Sequence, residues 1–222
     1  MNAWKIFETD LIVQMPLILA GLFNTLKLAG LISVTGLLLG IVVFYLSISK
    51  NFFIRTATNS YISFFIGMPL IVLLFLMYYG LPQWGLRMDP FNVAAIGFTL
   101  NVAAYNAAYM KTAYNGLNFI QLEAAAAQGF SPFQIFRLIT LPQVLRLSVP
   151  ALTNQVIGNL KDSSVAFLIQ YTEFFARMQE LAASNFQFFK AYLLTAIVYL
   201  AMVSVIVLIA RAIERRIVFP TA

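Results

Sequence analysis

The chain contains neither cysteine nor histidine, and only 10% of its 222 residues are charged. Without cysteine there are no disulfide bonds and no thiol catalysis, and without histidine there is no haem ligation by that residue. Zinc sites built from Cys and His are excluded for the same reason. The chain also lacks the phosphate-binding pattern G-x-x-x-x-G-K-[ST], so any ATP hydrolysis linked to its activity is expected on another chain.

Apolar residues are abundant instead, at 61% of the chain, with a mean hydropathy of +0.86. Soluble domains average about 25% charged residues, so most of this chain is expected to have lipid as its solvent. The length allows a single membrane domain over residues 1–222 with no large soluble domain. No basic cluster lies on a soluble module, which excludes nucleic acid as the partner of the net +6 charge.

Five segments are apolar enough and long enough to cross a bilayer, which requires about 20 residues. The sequence therefore predicts an all-α membrane protein with five transmembrane helices. Pro69 in the second segment predicts a kink, and Gly36 with Gly40 in the first forms a small-xxx-small spacing that permits close helix contact. Glu8 and Asp10 precede a long apolar run, which predicts a retained span and not a cleaved signal. The segments cover residues of about 16–49, 61–80, 91–110, 147–169 and 188–210.

The positive charges predict the orientation, because Lys and Arg collect in cytoplasmic loops. The richer side is expected to be cytoplasmic, which places the N-terminus in the periplasm and the C-terminus and residues 112–146 in the cytoplasm. Lys161 lies within the fourth span. The richer side carries Lys50, Arg55, Lys111, Arg137, Arg146, Arg211, Arg215 and Arg216, and the other side carries Lys5, Lys27, Arg87, Arg177 and Lys190.

Residues 118–142 on this cytoplasmic side have the pattern of two short helices joined by glycine. Asn118 and Gln121 have capping-box spacing, and four alanines follow Glu123. Gly129 is expected to end the first helix with a positive φ, Ser131 to cap a second helix in a box with Gln134, and Pro142 to end it. Such an element suits a docking surface for another protein, although a simple surface loop helix remains the alternative.

Span four concentrates polar residues, which are costly in hydrocarbon unless they face protein or water. By helical spacing, its polar residues fall into two adjacent stripes that predict a transport pathway. Lys161 and Asp162 point about 100° apart, so each either pairs with a nearby helix or contacts the charged ends of a substrate. Asn101 and Tyr105 of span three either read the substrate or form helix–helix hydrogen bonds. The stripes are Asn154, Gly158 and Lys161, and Gln155, Asn159 and Asp162.

Several blocks, taken in order, resemble the permease subunits of ATP-binding-cassette importers, in particular the polar amino acid family. The string E-A-A-A-A-Q-G at 123–129, followed by I-T-L-P at 139–142, resembles the EAA loop of these permeases. The similarity extends from about residue 21 to residue 216. Further blocks are G-L-F-N-T-L-K-L-A at 21–29, Y-I-S-F-F-I-G-M-P-L-I-V-L-L-F at 61–75, Y-Y-G-L-P at 78–82, L-P-Q-V-L-R at 141–146, P-A-L-T-N-Q at 150–155 and N-L-K-D-S-S at 159–164.

The resemblance implies the type I importer permease fold, with residues 118–142 as a cytoplasmic coupling loop in the bacterial inner membrane. It implies a second permease subunit, identical or different, two ATPase subunits and an extracytoplasmic amino-acid-binding protein. The chain itself would bind no cofactor, with ATP and Mg on the ATPase. The implied coupling residues are Glu123, Ala124, Ala125, Gly129, Leu141 and Pro142; the pathway residues are Asn101, Tyr105, Asn154, Asn159, Lys161, Asp162 and Ser163.

The chain departs from the family pattern at two places. Ile66, Gly67 and Met68 precede Pro69 where Arg-Gly-Thr is usual, and Lys111 and Thr112 replace a usual Arg-Gly, following Ala108 in place of Glu. A Glu and two Arg are therefore missing, which leaves transport in place but weakens any substrate assignment. A different permease partner carrying the missing groups is one consequence.

The same residues bear on two other functional classes and on one further segment. An ion-coupled carrier or channel that works as an oligomer is disfavoured because no His or embedded Glu is present for a proton relay. An intramembrane enzyme is disfavoured because the eight acidic residues are scattered along the chain. Residues 171–187, with Phe174, Met178 and Leu181 at helical spacing, are interpreted as an outer connector, an interfacial helix or a contact for the binding protein.

Overall fold

A computed structural model describes residues 3–217, with side chains except those of Ala3, Ile6 and 213–217. The predicted sides of the membrane for Met1 and Ala222 concern residues outside this range. Within it, the regular structure is helical. The helices are α1 (Ala3–Ser47), α2 (Phe52–Gly67), α3 (Leu70–Phe75), α4 (Pro90–Asn115), α5 (Ile120–Ala127), α6 (Pro132–Ile135), α7 (Leu141–Asp162), α8 (Phe174–Asn185) and α9 (Phe188–Ile217). Leu76–Gly80 and Phe136–Thr140 are π turns, and Leu81–Trp84 and Ser163–Ile169 are 3-10 helices.

The longest contact in the bundle is that of α1 along α4, and glycine makes it close. A Cβ placed on Gly36 would lie 2.5 Å from the Cγ1 of Val102, and one on Gly40 would lie 2.8 Å from the Cβ of Asn106. No larger residue fits at either position without moving α4. The small-xxx-small spacing of the first span is confirmed as a helix-packing surface.

The break predicted at Pro69 separates α2 from α3, and the two segments meet at 100°. Proline lacks the N–H that would bond to the carbonyl of Phe65 four residues earlier. The Nδ2 of Asn101 in α4 donates to that carbonyl at 2.9 Å. A side chain of one helix thus supplies the hydrogen bond that the kink in another helix lacks.

Three helical segments of the described chain meet both the length and the hydropathy required to cross a membrane: Phe7–Ser47, Pro132–Ile169 and Phe188–Ala212. The bent pair Phe52–Gly67 and Leu70–Trp84 meets the requirement when it is counted together. α4, with 26 residues, is about 39 Å long but does not meet the hydropathy requirement, because Asn, Tyr and Thr interrupt its apolar residues.

Two apolar clusters mark the ends of the bundle. One end contains α5 and α6, which with the π turn after them form an elbow at residues 120–140. At this elbow end, Phe44 of α1, Met110 of α4 and Phe136 form a buried cluster. At the opposite end, called the far end here, Phe174, Met178 and Leu181 of α8 pack on α1 and on Ala191 of α9. The apolar face of α8 is therefore covered by its own subunit.

Candidate translocation pathway and coupling element

The elbow at residues 120–140 has the predicted joint of two helices. α5 ends at Ala127, and Gly129 has φ +86°. In α6 the hydroxyl of Ser131 accepts from the N–H of Gln134 at 3.3 Å, and the side chain of Gln134 accepts from the N–H of Ser131 at 2.8 Å. The positive φ and the second capping box are confirmed, and together they fix the turn from α5 into α6.

The first capping box was predicted wrongly. α5 begins at Ile120, whose N–H donates to the Oδ1 of Asn118 at 3.0 Å, a local turn and not a reciprocal box. The amide of Gln121 instead exchanges hydrogen bonds with that of Gln143, at 3.0 and 3.2 Å. The side chain of Gln121, which the local pattern assigned to the cap, therefore bonds to α7 instead.

The helix stop at Pro142 was also predicted wrongly. Proline there is the second residue of α7 and directly follows the π turn at Phe136–Thr140, where the hydrogen-bond register of the helix changes. The chain is consequently helical without interruption from Pro132 to Ile169. Span four begins inside the elbow, 15 residues before the predicted start at Leu147.

This continuity ties the elbow mechanically to the spans. Phe136 is 7% exposed. Its ring centroid lies 4.5 Å from that of Tyr45 and 5.9 Å from that of Phe44, both of α1. The face turned away from the bundle remains open: Glu123, Ala124, Gly129 and Pro142 are exposed, Leu141 is half-buried and Ala125 is buried. Ile120, Phe130 and Phe133 add exposed apolar side chains to the same element.

The polar residues at the C-terminal end of α7 divide into buried and exposed ones. Asn159 is 2% exposed, accepts from the amide of Gln155 at 2.9 Å and donates to the hydroxyl of Ser33 in α1 at 3.0 Å. Ser163 is fully buried, and its hydroxyl donates to the carbonyl of Leu160 at 2.7 Å. Both residues thus bond within the subunit.

The exposed residues come from both stripes: Asn154 and Lys161 from one, and Asp162 from the stripe that also contains the buried Asn159. These three residues are called the charged stripe here. Asn154, Lys161 and Asp162 are exposed, and neither charged side chain makes a hydrogen bond or ion pair with another described residue. The alternative in which both charges lock the bundle of this subunit is therefore not realised. Charges exposed at the level of a span require a second protein surface or water.

The two predicted residues of α4 divide in the same way. Asn101 is 8% exposed and donates to the carbonyl of Phe65 at the α2–α3 break. It therefore forms a helix–helix hydrogen bond, which is the second of the two roles that its sequence position allowed. Tyr105 is half-buried, and its ring centroid lies 6.3 Å from that of Tyr109 one turn further along. No sequence pattern had indicated Tyr109 as a pathway residue.

A buried carboxylate at the far end, which the sequence patterns did not indicate, links three helices by hydrogen bonds. Glu173 is 0% exposed and caps α8 by accepting from the N–H groups of Phe175 and Ala176 at 2.8 and 2.7 Å. It also accepts from the hydroxyls of Thr25 in α1 at 3.1 Å and Tyr199 in α9 at 3.2 Å. Burial raises the pKa of Glu173, and these hydrogen bonds act against that shift. A carboxylate immediately before a helix is the one sequence signal that would have indicated it.

No group of three or more Asp or Glu side chains that could hold a metal ion occurs among the described residues. The arrangement combines an exposed charged stripe in a span with a rigid elbow continuous with that span. Residues 32–219 match the model of a protein family described as the binding-protein-dependent transport system inner membrane component. The chain belongs to this family of transport permeases.

Relatives of the permease agree with this membership. It is 36% identical to PatM of Vibrio harveyi, a probable amino-acid ABC transporter permease, over 86% of this chain and 87% of that protein. It is 32% identical to YckA of Bacillus subtilis, also a probable amino-acid ABC transporter permease, over 96% of this chain and 95% of that protein.

A solved structure shows the same fold. A chain of an amino acid ABC transporter crystallised with histidines superposes with a TM-score of 0.84 at 28% identity, covering 94% of this chain and 97% of that one. The permease is therefore an inner-membrane transport subunit of an ATP-binding-cassette importer with the type I permease fold. The relatives that match it are themselves membrane permease proteins.

Proposed function

We propose that this permease moves polar amino acids across the bacterial inner membrane by alternating access. The charged stripe of Asn154, Lys161 and Asp162 is the observation that carries the proposal. A substrate with an ammonium and a carboxylate group matches a stripe that offers one cation, one anion and an amide. The amino-acid transporters among its relatives support the same substrate class.

The complex we propose contains two permease subunits, two ATPase subunits and an extracytoplasmic amino-acid-binding protein. The charged stripe supports the second permease subunit, because the charges exposed on one subunit need a facing surface. ATP and Mg²⁺ bind on the ATPase subunits, and the permease holds no cofactor. The pathway comprises Asn101, Tyr105, Asn154, Asn159, Lys161, Asp162 and Ser163, with Asn101, Asn159 and Ser163 shaping it from within the subunit.

In the proposed topology the chain forms one domain with five spans, the N-terminus in the periplasm and the C-terminus in the cytoplasm. α4 is the third span: it lies along α1 for most of its length, and its buried side chains face other helices and not lipid. The α2–α3 pair is the second span, bent at Pro69. The elbow then lies on the cytoplasmic side, as the basic residues of its loop predict.

Residues 118–142 are proposed as the coupling loop that enters a cleft of the ATPase. Glu123, Ala124 and Gly129 present its open face, Ala125 packs inward, and Leu141 and Pro142 connect it to the span. Because the chain is helical from Pro132 to Ile169, a displacement of the elbow is carried along the helix to the charged stripe.

The test is uptake of radiolabelled histidine, arginine, glutamine and glutamate into proteoliposomes. We expect uptake of at least one of them only with ATP at the ATPase, the binding protein and both permease subunits present. Uptake by the chain alone, driven by a proton gradient, would contradict the proposal and favour an ion-coupled carrier.

A matched pair of carboxylate variants tests the coupling loop in the same complex. Glu123→Ala should abolish substrate-stimulated ATP hydrolysis, because it removes the charge from the docking face. Glu8→Ala removes an exposed carboxylate near the far end and should leave stimulation unchanged. Equal stimulated activity in both variants would show that the elbow does not transmit ATP hydrolysis.

A further inference from the structure

A groove between two helices lies near the elbow end of the bundle. It has a volume of about 380 Å³, within the roughly 300–1,000 Å³ of small-molecule sites. α4 and α7 form its two walls. The lining residues, which define the inner groove, are Tyr109, Thr112, Ala113, Gly116, Leu147, Ser148 and Ala151.

The inner groove continues the charged stripe of α7. Leu147 and Ala151 lie on the same helical face as Asn154, Gly158 and Lys161, at successive spacings of four, three, four and three residues. On α4, Tyr105 precedes Tyr109 and Thr112 by four and seven residues, which is again one face. A solute that moves along the charged stripe toward the elbow therefore reaches this groove next.

Ser148 distinguishes the inner groove from an ordinary gap between helices. It is 2% exposed, and its Oγ has no hydrogen-bond partner among the described residues. Helical Ser and Thr usually bond back to the preceding turn, as Thr112 does here to the carbonyl of Ala108 at 3.1 Å. A buried hydroxyl left without a partner is unfavourable, and a polar ligand in the groove relieves that penalty.

The chemistry of the inner groove also differs from that of the charged stripe. Ser148 lies about 20 Å along the helix from Lys161, at 1.5 Å per residue. The hydroxyls of Ser148 and Tyr109 can each donate and accept, and that of Thr112, which donates to Ala108, can still accept. Together they can bind an ammonium or a carboxylate group without carrying charge. Neutral partners hold these groups less tightly than Lys161 and Asp162 would, since hydrogen bonds between charged groups are the stronger ones.

We propose that the inner groove is a weak substrate subsite, in which these three hydroxyls bind the backbone groups of an amino acid before its release. This inference rests on the proposed transport of amino acids. It assigns Ser148, Thr112 and Tyr109 as positioning residues for release on the elbow side.

A second groove in the same subunit supplies a control. It has a volume of about 250 Å³ and is lined by Leu31, Thr35, Ala95, Ile96, Thr99 and Leu100. Here the hydroxyls of Thr35 and Thr99 bond to each other at 2.7 Å, and Thr35 also donates to the carbonyl of Leu31. The two hydroxyls satisfy each other, so this groove offers no comparable site for a polar ligand.

The lack of cysteine in the chain makes the test clean, because a single introduced thiol is the only one in the subunit. Uptake by unmodified complexes first shows which of histidine, arginine, glutamine or glutamate is transported. Complexes carrying Thr112→Cys or the control Thr99→Cys are then treated with a charged methanethiosulfonate reagent. The transported amino acid is present or absent during the reaction.

We expect Thr112→Cys to react, because Thr112 is exposed. Any labelling of the half-buried Thr99→Cys should be the same with and without the amino acid. At ten times its Kd the transported amino acid leaves about a tenth of the subsites free, so it should slow labelling of Thr112→Cys about tenfold. A non-transported amino acid should have no effect. In the double variant Thr112→Cys with Ser148→Ala, protection at the same concentration should be lost.

Each other outcome overturns a defined part of this reasoning. Labelling without protection shows a groove that holds water only, and protection that survives Ser148→Ala shows a change of conformation and not binding. Either result refutes the subsite while amino-acid transport stands. Complexes that transport none of the four amino acids refute the proposed substrate class, and the subsite falls with it.

Discussion

Gly129 is the position where one added methyl group tests the coupling element most directly. Its φ of +86° lies in the left-handed region, and a Cβ built on it meets no atom within 4 Å. Gly129→Ala therefore adds no clash and removes no contact. Its whole cost is the conformational penalty of an L-residue at positive φ, about 1–2 kcal/mol. In the variant, other conformations of the elbow are therefore favoured over the observed turn by about 1–2 kcal/mol.

If the observed turn is the shape that the ATPase binds, binding must restore it. A cost of 1–2 kcal/mol corresponds to a roughly 5- to 30-fold weaker affinity of the ATPase for the permease. Gly85 provides a matched control, because its φ is +82° and a Cβ there also meets nothing within 4 Å. Gly85→Ala carries the same backbone penalty in the turn between the 3-10 helix Leu81–Trp84 and α4.

The assay is titration of the ATPase subunit against purified permease, followed by substrate-stimulated ATP hydrolysis. Gly129→Ala should weaken assembly by the stated factor, and Gly129→Val should weaken it more, because β-branched residues tolerate positive φ poorly. Gly85→Ala should assemble like the parent. If both alanine variants bind the ATPase with the parental affinity, the turn at Gly129 is not part of the ATPase-binding surface.

Three further predictions rest on the described contacts. Asn159→Leu leaves Ser33 without its partner, so it should cost about 1–3 kcal/mol of stability and lower the thermal midpoint. Asn154→Leu should impair uptake but leave the midpoint and ATPase assembly unchanged, and identical effects of the two variants would contradict the division of the polar residues of α7 into buried and exposed ones. Burial raises the pKa of Glu173 in the folded state, so the protonated carboxyl stabilises the fold below the unfolded pKa, and this stabilisation is lost as pH rises through the folded pKa. The thermal midpoint of the parent should therefore fall as pH rises between these two pKa values. Glu173→Gln, which does not titrate, should show a smaller fall. A reporter fused after Ala222 should be active only in the cytoplasm, and periplasmic activity would reverse the proposed topology.

The elements that local chemistry controls were predictable from sequence. The turn at Gly129 and the capping box of Ser131 and Gln134 depend on neighbouring residues alone, and both were found as predicted. The kink at Pro69 follows from the missing N–H of proline, which is the same whatever the tertiary contacts are. Helix existence followed from long apolar runs in the same way.

Local patterns failed where a distant residue competed for the same group. Gln121 bonds to Gln143 and not to the cap of α5, because α7 passes beside it. Pro142 does not stop its helix, because it directly follows a π turn, where the hydrogen-bond register changes, and α7 continues into the bundle. The sequence pattern could not indicate either neighbour.

By itself, the sequence determined a helical membrane chain, a glycine-jointed elbow and a polar fourth span, since each follows from composition or from residues within one or two turns. Only the tertiary structure decided what that polarity does. It placed Asn159 and Ser163 inside the subunit, left Asn154, Lys161 and Asp162 open, and assigned Asn101 to the carbonyl of Phe65. Helical spacing establishes which side chains share a face, but the packing of the other helices determines whether that face meets protein or an open path.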